Sequence, residues 1–435
     1  MTVVRKLGAG GFGDVYEVIT SDGLRVAQKV FRPSADSNVD NDDLKARFRR
    51  EIKYQGNINS PNVVRIISSN LENDPPYFNM ELGVGSLADE LALDRTLSAN
   101  PNKALFDILA GLDVLHSLGF SHRDLKPHNV IKFLDFEGPR YALSDFGLMN
   151  VGGSATSSLT TSNMAGGSER WSAPECMINF KRANYLADIY SFGAILHDIF
   201  EGTNRLPFSE LTGSGPVGSV IERCTKTVPH RRFSNVSDLR EALFTAVSTQ
   251  PFQTANNEEA NVLDLLNNNS TLSDKEWDEV YRFIDNNGGD WRRNANIFQS
   301  LSRDHLRDLH QNWPPLFNAL GVEFCEYASS GVFSFDYCDV IGGKAEILYE
   351  LGDTNLKAHC AVAMLRLGSS HNRWYVQRLF VTMAGTEIFD GLAKRIAIEI
   401  DIRNLDFKRM FSQTESTISA TRQQLHHIVA GLLDK

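Results

Sequence analysis

The chain has 435 residues, of which 42% are hydrophobic and 23% are charged, and its formal net charge is -10. This ordinary globular composition argues against a fibrous or largely disordered protein, and the length indicates roughly two or three domains. A negative net charge provides no broad cationic surface for phosphate backbones, so we expect no nucleic-acid partner.

Cysteine usage and hydropathy predict a cytoplasmic protein that does not span a membrane. No segment offers about 18 uninterrupted apolar residues, and the first residues lack a signal-peptide pattern. The cysteines are odd in number, scattered and without CxxC spacing, which predicts neither a disulfide framework nor a zinc site: Cys176, Cys224, Cys325, Cys338 and Cys360.

The first part of the chain, from Val3 to about Gly83, predicts a small sheet with one helix. Short β-branched or apolar runs are broken by glycine and polar turns, and a charged amphipathic stretch, Asp43–Gly56, lies between them. Leu7–Val15 carries glycines at positions 8, 10 and 13, so a strand-turn-strand there can bring backbone N–H groups close to polyphosphate. A glycine-rich hairpin alone is more often only a turn, so the later motifs decide its interpretation.

Two charged residues of this part are candidates for a phosphate-binding site. In Val26–Lys29, period-two geometry turns Ala27 and Lys29 to the same face of a strand, so a small residue can cover a flat base while the amine reaches phosphates. Glu51 is one acid among bases in the predicted helix, where a carboxylate can orient Lys29. A surface lysine and a solvated helix face are the alternatives for these residues taken alone.

Beyond Ser86 the periodicity becomes mainly helical, and a polar motif, His122–Asn129, interrupts it. This motif supplies Asp124 to accept a hydroxyl proton and Lys126 to steady the charge of a transferring phosphoryl group. Its last residue, Asn129, can ligate magnesium.

A second motif, Ser144–Gly147, follows shortly afterwards. Its Asp145 can bridge a metal to phosphate oxygens, and Gly147 gives the backbone the freedom that this turn needs. The two motifs rarely arise together by chance in this order, after the glycine loop and the lysine strand.

In this motif order the chain resembles the eukaryotic-type protein kinase family over residues 3 to about 248. The resemblance implies an α+β bilobal fold, with a mainly β small lobe over 1–83 and a mainly α large lobe over 84–248. It also implies a serine/threonine protein kinase that uses ATP and Mg²⁺, with Mn²⁺ as a substitute metal and proteins with Ser/Thr acceptors as partners. The implied catalytic residues are Asp124 and Lys126, and the implied metal ligands are Asn129 and Asp145. The implied ATP-binding residues are Leu7, Gly8, Ala9, Gly10, Gly11, Phe12, Gly13, Asp14, Val15, Ala27, Lys29, Glu51, Met80, Glu81, Gly83 and Ile131.

Within this set, the resemblance assigns Tyr77–Gly83 to the last strand of the small lobe and the hinge. Met80 is the implied gatekeeper, and the main chain of Glu81 and Gly83 is expected to meet adenine. The implied residues around the adenine ring are Val15, Ala27 and Ile131.

The resemblance also assigns Gly167–Glu175 to the substrate-binding end of the activation segment. Ser168, at a position where the family usually has threonine, and Lys126 both indicate serine/threonine specificity. Glu175 is expected to form a buried ion pair with Arg232. The candidate sites of activating autophosphorylation are Thr160, Thr161 and Ser162, and a phosphate there is expected to pair with Arg123.

The residues of the remainder of the chain suggest no family resemblance. Residues 249–272 are polar and turn-rich and predict a linker, and 273–435 predict a mainly helical domain that recruits substrates or regulates the kinase. Ser273–Glu276 resembles a capping box that opens a helix. Further helices are expected around Leu316–Tyr327, Ala345–Leu351, Leu356–Leu367 and Thr417–Leu433.

Two other functions compete with an active protein kinase. A pseudokinase scaffold is the first, and the presence of Lys29, Asp124, Asn129 and Asp145 argues against it. A small-molecule kinase on the same fold is the second. The Ala-Pro-Glu segment that ends at Glu175, which builds a peptide platform in the family, argues against this alternative.

Overall fold

The chain forms two compact units, Met1–Val247 and Ser248–Lys435. The first unit begins as a sheet with one helix and continues as a mainly helical part, and the second unit is helical. The predicted bilobal fold followed by a mainly helical C-terminal region is confirmed. The computed structural model describes residues 1–10, 13–32, 41–136, 138–145, 150–151, 168–179, 183–202, 204–248, 254–287 and 290–434.

The small lobe is an antiparallel sheet covered by one helix. Its strands are β1 Thr2–Gly10, β2 Gly13–Ile19, β3 Arg25–Phe31, β4 Ile66–Asn70 and β5 Tyr77–Met80. They are ordered β1-β2-β3-β5-β4. Helix α1, Asn41–Gly56, places Phe48 and Ile52 on one face because they are four residues apart, and they pack with Phe31 and Phe78 of the sheet.

The large lobe is built around two buried helices. Its described helices are α2 Leu87–Leu93, α3 Asn102–Ser117, α4 Pro174–Asn179, α5 Tyr185–Phe200, α6 Gly215–Cys224 and α7 Val236–Val247. Short strands accompany them: β6 Gly85–Ser86, β7 Phe120–Ser121, β8 Val130–Asp135, β9 Gly138–Leu143 and β10 Asn150–Val151. The core contains Leu105 and Leu109 of α3 together with Phe192 and Leu196 of α5.

An internal ion pair holds the end of the activation segment to the large lobe. Arg232 Nη1 donates to Glu175 Oε1 at 2.7 Å and Nη2 donates to Oε2 at 2.8 Å. Arg232 Nη1 also donates to the Leu186 carbonyl at 2.8 Å. The predicted pairing of Glu175 with Arg232 is confirmed, and the bidentate geometry makes it specific.

The second unit consists of helices with short connections. Their bounds are α8 Asn257–Asn268, α9 Asp274–Asn286, α10 Trp291–Ser300, α11 Arg303–Asn312, α12 Pro314–Ser330, α13 Phe335–Leu351, α14 Thr354–His371, α15 Trp374–Met383, α16 Asp390–Ile402, α17 Phe407–Ile418 and α18 His427–Ala430. Helix α14 packs against α12, α13, α15, α16 and α17, so it forms the centre of the unit. The predicted capping box at Ser273 and Glu276 is confirmed.

Two local expectations are corrected. Helix α8 lies inside the range 249–272 that composition assigned to a linker, because Asn256 caps it and Val262 and Leu266 are buried. The range Thr417–Leu433 is not one helix. It breaks after Ile418, since Ser419 takes a left-handed backbone conformation with φ of 53°.

Among the described residues, none of the helices has the length and apolar character needed to cross a bilayer.

Candidate active site

The centre of the site is a buried lysine between two carboxylates. Lys29 on β3 lies with its Nζ 2.8 Å from Glu51 Oε1 of α1 and 2.9 Å from Asp145 Oδ1, just after β9. Only 5% of Lys29 is exposed. The structure therefore confirms the predicted contact of Lys29 with Glu51 and adds a direct contact with Asp145.

The two carboxylates decide the charge state of this lysine. Burial alone would lower the pKa of Lys29, but Asp145 and Glu51 outweigh burial and raise that pKa above its usual value. Burial also acts to raise the pKa of Asp145, and the Lys29 ammonium reverses this and lowers it. At neutral pH the site therefore holds a cationic amine beside the ionised Asp145 carboxylate.

The motif His122–Asn129 forms a compact hydrogen-bonded loop around Asp124. Lys126 Nζ lies 2.8 Å from Asp124 Oδ2. Asn129 Nδ2 donates to the Asp124 carbonyl at 2.8 Å and to Asp124 Oδ2 at 3.1 Å. Burial raises the pKa of Asp124, and the Lys126 ammonium offsets only part of this. The structure thus brings together three residues that the sequence selected.

A buried carboxylate that sequence reasoning missed holds this loop in place. Asp188 of α5 accepts the His122 N–H at 2.9 Å and the Arg123 N–H at 2.7 Å, and its Oδ2 lies 2.9 Å from His116 Nε2. Arg123 has a φ of 67°, a left-handed conformation that is costly for arginine. An aspartate near the start of a mainly apolar helix was the available signal, because a fully buried charge needs partners.

The expected adenine pocket lies between the sheet and β8. Ala27 on β3 pairs with Met80 on β5. Met80 and Ile131 both pack against a small apolar cluster of Val64, Phe133 and Ala142. A Cβ on Gly83 would lie 2.3 Å from Ile131 Cγ2 and 2.7 Å from the Lys132 carbonyl, so only glycine fits there.

The glycine-rich loop is described on both sides of its tip. A Cβ on Gly13 would lie 2.2 Å from the Val30 carbonyl oxygen, so a larger residue does not fit at this position. Val15 pairs with Lys29 across β2 and β3. Asp14 is buried and paired with Lys6 at 2.7 Å. Leu7, Gly8, Ala9 and Gly10 lie on β1.

Several predicted site residues fall outside the described part. Gly11 and Phe12 of the loop, and the phosphosite candidates Thr160, Thr161 and Ser162, lie outside the described residues. Ser168 begins a short 3₁₀ helix, Ser168–Arg170.

Comparison with known proteins identifies the family. Residues 1–272 match the model of the protein kinase domain, which is more than half of the chain. The chain belongs to the protein kinase family. The matched residues include the complete first unit and extend into the second.

Curated relatives of this protein kinase include bacterial and plant enzymes. It is 30% identical over 233 residues to "Probable serine/threonine-protein kinase PknB" of Lactococcus lactis, covering 52% of this chain and 35% of that protein. It is 33% identical over 210 residues to serine/threonine-protein kinase pkn2 of Myxococcus xanthus, covering 47% and 24%. It is 30% identical over 251 residues to serine/threonine-protein kinase STY46 of Arabidopsis thaliana, covering 56% and 41%. The kinase thus spans less than half the length of these relatives.

Proposed function

We propose that this protein kinase transfers the γ-phosphoryl group of ATP to serine or threonine hydroxyls of protein substrates. The observation that carries the proposal is the position of Lys29, held 2.8 Å from Glu51 and 2.9 Å from Asp145. Such an arrangement suits the positioning and charge stabilisation on which phosphoryl transfer depends. The serine/threonine names of the relatives and Lys126 support the choice of acceptor.

In the proposed mechanism Asp124 orients the acceptor hydroxyl and receives its proton. Its raised pKa makes it a stronger base than an exposed aspartate, which favours this role. Lys126 neutralises charge that develops on the phosphoryl group, and its contact with Asp124 keeps the two groups adjacent.

The side-chain donors present fit a hard divalent cation, and Mg²⁺ is the proposed ion, with Mn²⁺ as a substitute. Asn129 directs its Nδ2 at Asp124, which leaves Oδ1 as a ligand atom, and Asp145 supplies carboxylate oxygen. When bound, the ion supplies neutralisation of phosphate charge. Lys29 is expected to hold phosphate oxygens, while Ala27, Met80 and Ile131 contact the adenine base.

The proposal is tested by replacing Asp124 with asparagine, which preserves shape and removes the base. We expect phosphate transfer from labelled ATP to a generic protein substrate to fall by a hundredfold or more, about 3 kcal/mol. Asp22→Asn, at an exposed turn after β2, is the matched control and should leave the rate unchanged. Equal rates in wild type and Asp124→Asn, with contaminating kinases excluded, would reject the assigned role.

The same assay separates the competing functions. A pseudokinase scaffold would bind nucleotide without turnover by the wild-type chain. A small-molecule kinase would phosphorylate an aminoglycoside or choline in preference to a protein. Transfer to protein hydroxyls that depends on Asp124 is the outcome expected here.

Activation by autophosphorylation at Thr160, Thr161 or Ser162 is part of the proposal. Arg123, the expected partner of the phosphate, is buried, and its guanidinium donates to the Ala183 carbonyl. A phosphate that recruits Arg123 must therefore compete with this contact. Mass spectrometry of fully active enzyme checks the sites, and an unmodified segment would remove this part.

The proposed role of the second unit is to recruit substrates or regulate the kinase. Its helices are not needed for the chemistry, because the residues assigned to catalysis lie before residue 248. A truncation to 1–247 is compared with the full chain for thermal stability, generic activity and activity on native targets. We expect the truncation to lose more activity towards native targets than towards a generic substrate. If the truncation and the full chain were equally active on both kinds of substrate, recruitment and regulation would both be contradicted.

A cytoplasmic location is also proposed, since all five cysteines are free and buried.

A further inference from the structure

Three potential metal ligands converge in the second unit, far along the chain from the kinase motifs. They are Asp390, the first residue of α16, and the neighbouring His426 and His427 at the start of α18. One ligand atom from each lies within 4.8 Å of the other two. The proposed kinase reaction uses none of these residues.

The distances suit a tetrahedral metal with nitrogen and oxygen ligands. Ligand atoms about 2.1 Å from a tetrahedral zinc ion lie roughly 3.4 Å from one another. Asp390 Oδ1 and His426 Nε2 already lie 3.3 Å apart. The side chains of His427 and Asp390 are exposed and can close the remaining gap by rotation.

The backbone fixes the two segments that carry these ligands. The His426 N–H donates to the Ala384 carbonyl at 2.9 Å, and Leu425 forms a β-bridge with Gly385. His426 is only 5% exposed, so its ring is held by packing. This support places the ligands close together before any ion arrives, which lowers the entropy cost of binding.

One local hydrogen bond opposes metal binding and sets its cost. His426 Nδ1 accepts the Ile428 N–H at 3.3 Å, which favours the tautomer with the proton on Nε2. Coordination through Nε2 moves the proton to Nδ1 and gives up that bond. The bond is longer than an ordinary N–H hydrogen bond, so the loss is small beside a new metal ligand.

A cavity beside the histidines leaves room for a further ligand. His426 and His427 line a cavity of about 580 Å³ together with Thr386, Arg422 and Gln423. A site with three protein ligands keeps a coordination position for water or a small anion. Thr386 and Gln423 of the lining carry groups that can hydrogen-bond to either.

We infer that Asp390, His426 and His427 form a binding site for a divalent transition metal of the zinc class. Two imidazoles and one carboxylate are a donor set for such metals, whereas Mg²⁺ and Ca²⁺ prefer oxygen ligands. The ion joins the start of α16 to the C-terminal segment that contains α18. It therefore stabilises the second unit.

The test measures zinc binding to the full-length protein after chelator treatment, with excess MgCl₂ present. Under these conditions calorimetric titration with ZnCl₂ should give one site per chain, and the melting temperature should rise with zinc. Asp390→Asn and His427→Ala should each weaken zinc binding at least tenfold and abolish the thermal shift. Both residues are exposed, so these variants keep the fold, whereas His426 caps α18 and is left intact.

Two control variants and one spectrum complete the experiment. His230→Ala removes an exposed histidine of the first unit, and Asp145→Asn changes the proposed kinase metal site; neither should alter this zinc affinity. Cobalt substitution should give visible bands of a nitrogen/oxygen site without thiolate charge transfer. Unchanged zinc affinity in both Asp390→Asn and His427→Ala, equal loss in His230→Ala, or thiolate bands would overturn the inference.

Discussion

Buried charges occur in both units, but their surroundings differ. In the kinase unit, Lys29 is shared by Glu51 and Asp145, and about a third of the Asp145 side chain, 34%, is exposed. In the second unit, Asp339 is fully buried and receives Arg373 Nε at 2.7 Å. A charged cluster that keeps one partly exposed member can exchange partners with a ligand, whereas an enclosed pair contributes only to folding.

Left-handed residues show the same contrast. In the second unit, Asn372 and Ser419 adopt this conformation at the C-terminal ends of α14 and α17, where it terminates a helix. In the kinase unit, Arg123 and Asp145 adopt it inside the two proposed catalytic motifs, with φ of 67° and 64°. The left-handed backbone at Asn372 and Ser419 thus ends helices, whereas at Arg123 and Asp145 it positions proposed catalytic groups.

The largest effect on phosphotransfer is expected at the partly exposed member of the kinase cluster, Asp145. Asp145→Asn should reduce phosphotransfer by a hundredfold or more, about 3 kcal/mol, because a charge that stabilises the transition state is lost. Stability should change little, since Lys29 keeps its 2.8 Å contact with Glu51. Kinetic assay and urea unfolding of the same variant check both statements. A large loss of stability would place Asp145 with the enclosed charges and break the contrast.

The same substitution in the second unit should have the opposite profile. Asp339→Asn removes one charge of an enclosed pair, so we expect a loss of about 3 kcal/mol in unfolding free energy. Phosphotransfer to a generic substrate should stay unchanged at a temperature where the variant is folded. Urea unfolding measures the first quantity. An unaltered unfolding midpoint would show that the pair adds nothing to folding.

A smaller effect is expected at the hinge. Gly83→Ala introduces a Cβ 2.3 Å from Ile131 Cγ2, so the hinge must shift at a cost of about 1–3 kcal/mol. The KM for ATP should rise more than kcat falls. Gly56→Ala is the matched control, because nothing lies within 4 Å of its added Cβ. An unchanged KM for ATP in Gly83→Ala would separate the hinge from nucleotide binding.

The smallest effect concerns pH and the second unit. The His359 ring, whose Nδ1 lies 3.7 Å from Glu326 Oε1, and then the Arg403 guanidinium, which donates to Glu326 Oε2 at 3.0 Å, lower the pKa of Glu326 to about 2 from its ordinary value of 4.5. A depressed folded-state pKa means that the stabilisation is complete above pH 4.5 and is lost as the pH falls towards 2. The side chain is 37% exposed, so screening keeps the contribution below about 1 kcal/mol.

The comparison of wild type with Glu326→Gln isolates this contribution. The stability difference between the two proteins, measured by urea unfolding, should shrink as the pH falls below 4.5. A difference that stays constant over this range would assign the effect to shape and not to charge.

Sequence predicted the kinase fold and its central contacts because the motifs are contiguous and their order is specific. Lys29 with Glu51, and Asp124 with Lys126 and Asn129, follow from such motifs. The contacts of Asp188 could not be predicted from a contiguous motif, because its backbone partners, Arg123 and His122, lie 65 and 66 residues earlier in the chain.

The second unit was harder to predict because packing overrides local composition. Asparagine-rich sequence around α8 resembles a loop, yet burial of Val262 and Leu266 favours a helix. The reverse happens after Ile418, where apolar periodicity continues but Leu425 bridges to Gly385 instead of extending α17. In both cases the deciding contacts are distant in sequence, so a local pattern cannot reveal them.

The contacts of Asp188 also have a consequence for the order of folding. The sheet and α1 are complete within residues 2–80, whereas the turn at Arg123 acquires its left-handed shape only against a carboxylate 65 residues later. Closing that loop costs entropy before any contact is gained. We therefore expect the proposed catalytic loop to become ordered only after α5 has packed, so a nascent chain released before Asp188 has a formed small lobe and no competent site.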